Sequence, residues 1–395
     1  MRQFSDAAGR LVGQKMFQIL AKAKKLERHG RDIVHFEIGD PDFDTPAHIA
    51  TAGSQAIANG DTHYTSSMGL PELRQAAIDV TLRSRKFKPD LDQVLITPGA
   101  NVQLYLALAC AVNPGEEVII PDPGFVSYAA IISFLGAVPV RVCLHEKHAF
   151  RLDPEDVRRA VTPRTRVIII NSPSNPTGSV MTEPEMREVF KIAQHHGIYL
   201  LSDEIYARMV YEDGVTRFHS PGEYDGCRET TIIVNGFSKS YAMTGWRLGV
   251  VTGPSDLIGK MGLLLETILS CVSPFIQRAG VAALKGNQDE IVSMVNEFRR
   301  RRDVLVAGLN ALPGVQCTLP SGAFYAFPNI RGTGYASEEL AELLLERGGV
   351  AVAPGTIFGM HGEGYLRLCY ASSIQQIEQG LGRIKSVLSD MCEGD

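Results

Sequence analysis

The segment Gly236-Phe-Ser-Lys239-Ser-Tyr-Ala-Met-Thr-Gly-Trp-Arg247 sets one lysine just beyond the short β-branched run 230–234 (TTIIV), with an arginine further along the same loop. Such a run reads as a buried parallel strand, so Lys239 emerges past its carboxyl end. Open α/β sheets place their chemistry at that edge. A lysine partly out of water has its charged form disfavoured, and the free amine can attack an aldehyde to form a Schiff base. Arg247, always charged, suits a phosphate on the same cofactor. The plainer reading is a lysine and an arginine on a solvated loop, and residues elsewhere must decide.

Two upstream strands supply them. Ile198-Tyr-Leu-Leu-Ser-Asp203-Glu-Ile-Tyr206 ends an apolar run in a carboxylate, with a tyrosine on the following turn. A carboxylate there can bond a protonated heterocyclic nitrogen and keep it charged, which makes a pyridine ring an electron sink, and Tyr206 can bond a ring hydroxyl. Arg166-Val-Ile-Ile-Ile170 runs into Asn171-Ser-Pro-Ser-Asn175-Pro-Thr-Gly178, whose prolines and glycine fix the path and present Asn175. Each is alone no more than a turn or a cap; in this order at successive strand ends they describe a cofactor site.

With these motifs the chain resembles the class I aminotransferases of pyridoxal-phosphate fold type I, in the branch of the bacterial aspartate aminotransferases, over nearly its whole length. NPTG at 175–178, the Asp203 and Tyr206 pair, the lysine segment through Trp246-Arg247-Leu-Gly249, and Tyr365-Leu-Arg367-Leu carry the match. The resemblance implies pyridoxal 5'-phosphate on Lys239, Asp203 on the pyridine nitrogen, and Asn175 with Tyr206 on the phenolic oxygen. It implies Arg247 on the phosphate and Arg367 on the substrate's α-carboxylate, with Gly39 of Glu37-Ile-Gly39-Asp-Pro-Asp-Phe43 bordering that carboxylate. Asn175 and Phe125 would also touch substrate.

Thr97-Pro-Gly99-Ala100-Asn101 follows an apolar run and precedes a helical pattern, so its amides form a helix N-terminus suited to phosphate. Phe125 falls where the family stacks an aromatic ring on the cofactor. Tyr64 matches a tyrosine sent across the interface to the neighbouring subunit's phosphate, which implies a homodimer with shared sites. Gly236 stands where some relatives have a phosphate-binding serine, leaving Ser238 as the nearer hydroxyl. Asn101 stands where dicarboxylate-accepting members can carry a basic residue, so aspartate is not assured as donor. Lys15 either replaces that charge or is a surface lysine, the reading favoured here. Phe17, Phe324 and Phe358 would then line an apolar side-chain pocket suited to aromatic or aliphatic amino acids.

The elements that must position these residues alternate as strand and helix from about Leu91 to Gly253. Strands at 94–97, 117–120, 138–142, 166–170, 199–202, 231–234 and 248–251 make an α/β fold with a mainly parallel seven-stranded sheet. A helical pattern runs from Pro274 through Arg302, and 314–319, 323–328, 350–353 and 365–369 suggest a smaller α/β domain. The division expected is an N-terminal arm with part of the small domain (1–45), a large cofactor domain (46–280) and a small C-terminal domain (281–395).

Among the 395 residues, 45% are apolar and 21% charged, as in a soluble enzyme with a substantial core. A net charge of -5 and a pI near 6.1 give no footprint for nucleic acid or an anionic membrane, and the run 299–302 (RRRR) reads as a solvated helix face. Seven cysteines without a Cys-x-x-Cys pair read as reduced, mostly buried thiols. With no signal-type segment or membrane-length apolar run, the cytoplasm is expected. His145 and His148 read as a polar turn rather than a metal site, and His195-His196-Gly197 as a helix end; no metal is expected. The site implies amino-group transfer from an L-amino acid to a 2-oxo acid such as 2-oxoglutarate, with ping-pong kinetics. A lyase or synthase starting from the same carbanion, or a cofactor-binding sensor without turnover, are the alternatives.

Overall fold

The computed structural model describes residues 4–11, 13, 15–212 and 216–392, the side chains of 391 and 392 excepted. Its strands are β1 (Val34–His35), β2 (Val94–Thr97), β3 (Glu117–Asp122), β4 (Val138–Cys143), β5 (Thr165–Asn171), β6 (Tyr199–Asp203), β7 (Thr231–Gly236), β8 (Gly249–Thr252), β9 (Tyr325–Ala326), β10 (Val350–Ala351), β11 (Ala353–Pro354) and β12 (Leu366–Cys369). β2 to β8 form one seven-stranded sheet in the order β2-β8-β7-β6-β5-β3-β4. Every neighbouring pair in it is parallel except those made by β8, which runs antiparallel to β2 and β7. Sequence pattern and structure agree on all seven strands, to within a residue or two at their ends.

The β-branched runs are buried on both faces because alternate side chains enter different cores. On β5, Val167 and Ile169 join one apolar cluster with Leu201, Ile232 and Val251, while Ile168 and Ile170 join another with Leu200 and Phe190. The carboxyl ends of β2, β3, β5, β6 and β7 share one edge of the sheet. The reversed strand β8 starts at that edge, so the residues just before it, Arg247 among them, lie there too.

Two small sheets stand apart. β1 pairs with β10, and β11, β12 and β9 form an antiparallel trio. Pairing continues past β1, where the Cys369 amide donates to the Phe36 carbonyl at 2.8 Å, which lays residues 37–39 beside Arg367 of β12.

Four expectations are corrected. The pattern from Pro274 to Arg302 is two helices, Pro274–Lys285 and Asp289–Asn310. The Gln288 side chain terminates the first by donating to the carbonyls of Ala283 (3.0 Å) and Gly286 (2.8 Å). Residues 314–319 make only an isolated bridge, Gln316 to Asn329, rather than a strand. The arginine run is not wholly solvated. Arg301 and Arg302 are buried, Arg301 donating to Asp42 Oδ1 at 2.6 Å and Arg302 to the Pro320 carbonyl at 3.0 Å. Of the six cysteines whose side chains are described, all free, three are buried and three half-buried, fewer than expected.

His195 and His196 end the helix Glu183–His196, and Gly197 closes it at φ 62°. His145 Nε2 lies 3.6 Å from Asp156 Oδ2. Among the described residues no group of three or more His, Cys, Asp or Glu is placed to hold a metal ion, and no helix is long and apolar enough to cross a membrane.

Candidate active site

At the shared strand edge lies a cavity of about 330 Å³ whose wall includes Gly39, Ala100, Asn101, Phe125, Asn175, Asp203, Tyr206, Ser238, Lys239, Arg247 and Arg367. The residues expected from sequence to hold the cofactor and the substrate's carboxylate are there except Gly99, which caps helix Ala100–Ala111 just outside the wall, and Tyr64, which is 88% exposed and lies outside the cavity of its own chain. A smaller cavity of about 100 Å³, beside Arg85, Phe237 and Tyr241, lies behind the lysine loop and contains none of them.

Lys239 follows β7 and turns its amine to the Gly39 carbonyl, donating at 2.6 Å. Its charge lies 5.7 Å from the Phe324 ring centre. Burial lowers its pKa to about 8, against partial compensation from Asp40, so a usable fraction of free amine exists near neutrality.

Asp203 ends β6, in register with Asn171 of β5 and Val234 of β7. Its Oδ2 accepts from the Tyr128 hydroxyl at 2.6 Å and Oδ1 from the Ile205 amide at 3.2 Å. Burial pushes its pKa up to about 6, with these hydrogen bonds opposing. Among the described residues no cationic side chain pairs with it.

Asn171 ties the neighbouring ends together: its Nδ2 donates to the Asp203 carbonyl at 3.0 Å and its Oδ1 accepts from the Asn175 amide at 2.8 Å. Asn175 Oδ1 then accepts from Arg367 Nη1 at 3.2 Å. Arg367 is 1% exposed, lies between the rings of Tyr325 (4.6 Å) and Phe358 (4.8 Å), and donates Nη2 to the Glu37 carbonyl. Its Nε has no partner. Among the described residues no carboxylate pairs with this guanidinium either, an arrangement that leaves it open to an incoming anion.

The far end of the cavity is basic. Helix Ala100–Ala111 starts at Gly99 (φ 81°) without a side-chain cap, leaving first-turn amides free. A Cβ on Gly99 would lie 2.4 Å from Arg247 Nη2, so the guanidinium sits directly on the helix start, and Ser238 lines the same cavity.

Two of the three phenylalanines expected in a side-chain pocket are not in its wall. Phe324 lies behind Lys239 and Phe358 behind Arg367, both fully packed; only Phe17 lines the cavity, with Met16 and Ile38. Lys15 points away and pairs with Glu338 at 3.0 Å. Sequence reasoning missed Tyr325, whose hydroxyl lies 2.8 Å from that of Tyr206 and would be 1.9 Å from a Cβ at Gly39. It also missed Tyr128, although its place one turn after Phe125 was a usable signal.

This sheet, with a buried lysine, carboxylate and arginine meeting at its carboxyl edge, defines a fold type I transferase. Residues 31–384 match the family model for aminotransferase class I and II, and the chain belongs to that family of pyridoxal-phosphate users: it is an aminotransferase. It is 41% identical to an aspartate aminotransferase of Pyrococcus horikoshii over 376 residues, 95% of this chain and 94% of the relative. It is 40% identical to aromatic-amino-acid aminotransferase 2 of Thermococcus litoralis over 361 residues, 91% of this chain and 92% of that one. The solved aspartate aminotransferase of Thermus thermophilus with maleate superposes with a TM-score of 0.92 at 37% identity, covering 98% of this chain and 100% of that one.

Proposed function

We propose that the cavity binds pyridoxal 5'-phosphate through Lys239 and exchanges the amino group of an L-amino acid, gripped by Arg367, with a 2-oxo acid such as 2-oxoglutarate. The observation that carries this reading is the buried Arg367, a cation with an unpartnered Nε and no carboxylate beside it, in the same cavity as a lysine of lowered pKa. The residues fit the cofactor. Asp203, buried without a cation, suits a protonated ring nitrogen; Asn175 and Tyr206 suit the phenolic oxygen; the start of helix Ala100–Ala111 with Arg247 and Ser238 suits the phosphate; and Phe125 suits a ring face.

When bound, the cofactor supplies an electron sink for the pair left when the substrate's α-proton departs. The chain's own residues do the rest. Arg367 and Asn175 orient the α-carboxylate, for which a guanidinium fork is the matching shape. Lys239 Nζ, whose burial favours the free amine, takes the α-proton and gives it up again within the same half-reaction, and makes the same transfer in the opposite direction in the second. Asp203 keeps its partner nitrogen charged. Amino acid and 2-oxo acid exchange amino group for oxygen, so the two half-reactions balance and parallel initial-rate lines are expected.

Met16, Phe17, Ile38 and Phe125 make an apolar wall, and the relatives include proteins named for aspartate and for aromatic amino acids. The wall supports aromatic or aliphatic donors, and the relatives' names support aromatic or acidic ones. Exposed Tyr64 lies on the segment that packs against helix Ser255–Leu269, where Ser67 donates to Glu266 at 2.9 Å and Leu263, Ile268 and Leu269 are also exposed. A second copy covering this face would bring its own Tyr64 to the phosphate. In the proposed division a small C-terminal domain (281–395), joined by part of 1–45, carries Arg367, and its approach to the Lys239 sheet would expel water from the site.

The test is a spectral titration of purified holoenzyme with a panel of amino acids. Loss of the visible absorption of the bound aldehyde with some donors, and its return with 2-oxoglutarate, is expected; an absorption that no amino acid alters refutes the proposal.

A further inference from the structure

Arg367 is held from one side by a backbone carbonyl, that of Glu37. The Glu37 side chain is outside the cavity wall and fully buried. Its Oε1 meets His35 Nδ1 at 2.8 Å, and its Oε2 has no partner. His35 and Glu37 share a face of the extended segment that begins as β1, while Phe36 between them enters the core. The other His35 nitrogen faces Glu27 Oε1 at 3.1 Å, on helix Lys15–Arg28. This helix also supplies Met16 and Phe17 to the cavity.

A carboxylate without solvent persists only when it is paired. Here the pairing group is His35, raised to about 9 chiefly by its hydrogen bond to Glu37 and therefore charged at neutral pH. Two residues further on, the Gly39 carbonyl receives Lys239. One short segment thus offers a carbonyl to each of the two cavity cations, and the Glu37 side chain is its buried anchor.

We infer that Glu37 is a positioning residue for Arg367: its carboxylate, pinned by His35, fixes the carbonyl that aims the guanidinium at the substrate's carboxylate. His35 and Glu27 extend that linkage to the N-terminal helix. The inference rests on the reading of Arg367 as the carboxylate clamp.

The experiment uses holoenzyme and a donor found in the titration, together with the same molecule lacking its amino group as a dead-end inhibitor. Glu37→Gln should raise the donor's KM and the inhibitor's Ki by the same factor, about tenfold, as expected of a misaimed binding group. Its kcat should stay within about twofold, because the Gly39 carbonyl that receives Lys239 is held separately by the packing of Gly39 against Tyr325. Unchanged Ki, or a fall in kcat at unchanged KM, overturns the inference. His35→Gln, at the half-exposed rim of the pair, should raise both constants in the same direction with an unchanged melting temperature. It decides the matter if Glu37→Gln does not fold, and unchanged constants in it overturn the inference equally. Arg367→Ala is the separate control: if it binds the inhibitor as the wild type does, the clamp reading itself fails.

Discussion

Tyr128 donates its hydroxyl proton to Asp203 across 2.6 Å at the end of β6, and among the described residues no cation shares that carboxylate. Burial raises Asp203 to about 6 from an ordinary value of 3.8. The folded apoprotein therefore binds this proton more tightly than the unfolded chain. The contribution of this group to stability is greatest below the ordinary carboxylate range and declines as pH climbs from about 4 to about 6. Asp203→Asn removes that decline. At pH 7.5 the variant apoprotein should exceed the wild type by on the order of 2 kcal/mol, and at pH 4 the two should converge. Denaturant melts at the two pH values check this; a variant less stable at both would contradict it. Turnover should fall at least about a hundredfold once the cofactor is bound.

Lys239 titrates in the opposite sense. Its pKa is lowered from 10.5 to about 8 by burial, and only the free amine bonds an aldehyde. Capture of pyridoxal 5'-phosphate by apoprotein should accelerate about tenfold per pH unit up to near 8, then level off. Stopped-flow absorbance gives the profile, and a rate still climbing steeply at pH 10 would show that burial does not set this pKa. Lys239→Ala should capture nothing and turn nothing over.

Much of this was legible in the sequence because it depends on local pattern. Seven buried strands announce themselves as β-branched runs, and a parallel sheet carries their following residues to one edge, so Lys239, Asp203 and Asn175 were placed together without coordinates. What stayed hidden depends on which side of a packed segment a side chain leaves. Phe324 and its neighbour Tyr325 look equivalent in sequence, yet Tyr325 lines the cavity and Phe324 packs behind Lys239. Arg299 and Arg300 are solvated while Arg301 and Arg302 are buried, a split set by Asp42, 259 residues from Arg301, and by Pro320, 18 residues beyond Arg302. The His35 and Glu37 pair carries no motif at all.

Gly39 illustrates a requirement set by contact rather than by turn geometry. Its missing Cβ is the space filled by the Tyr325 hydroxyl, which would lie 1.9 Å away. Gly39→Ala must push back either the segment whose carbonyl holds Lys239 or the tyrosine bonded to Tyr206. A displacement near 1 Å in such a site costs roughly a hundredfold, so kcat/KM should fall by about that much while the melting temperature changes little. Adding Tyr325→Ala should recover part of the loss if the clash is the cause; no recovery would place the fault elsewhere.

The donor preference turns on Asn101. The apolar side chains that share its cavity include Met16, Phe17, Ile38 and Phe125, and Lys15, next to Met16 in the chain, is engaged by Glu338 outside the cavity. No cation besides Lys239, Arg247 and Arg367 is found in the described wall, and those three are committed to other groups in the proposed mechanism. A distal carboxylate therefore meets apolar surface and a neutral amide, and loses hydration without a charge in return. Apolar and aromatic donors are expected to lead aspartate in kcat/KM. Asn101→Lys supplies the missing charge at a solvent-exposed helix start, where a single charge-assisted hydrogen bond contributes roughly 1.5 kcal/mol or more. The ratio of kcat/KM for aspartate over phenylalanine should rise about tenfold or more in this variant, with the phenylalanine value little changed. Wild-type protein that already prefers aspartate, with a ratio indifferent to Asn101→Lys, would mean that the distal charge comes from outside this chain's cavity.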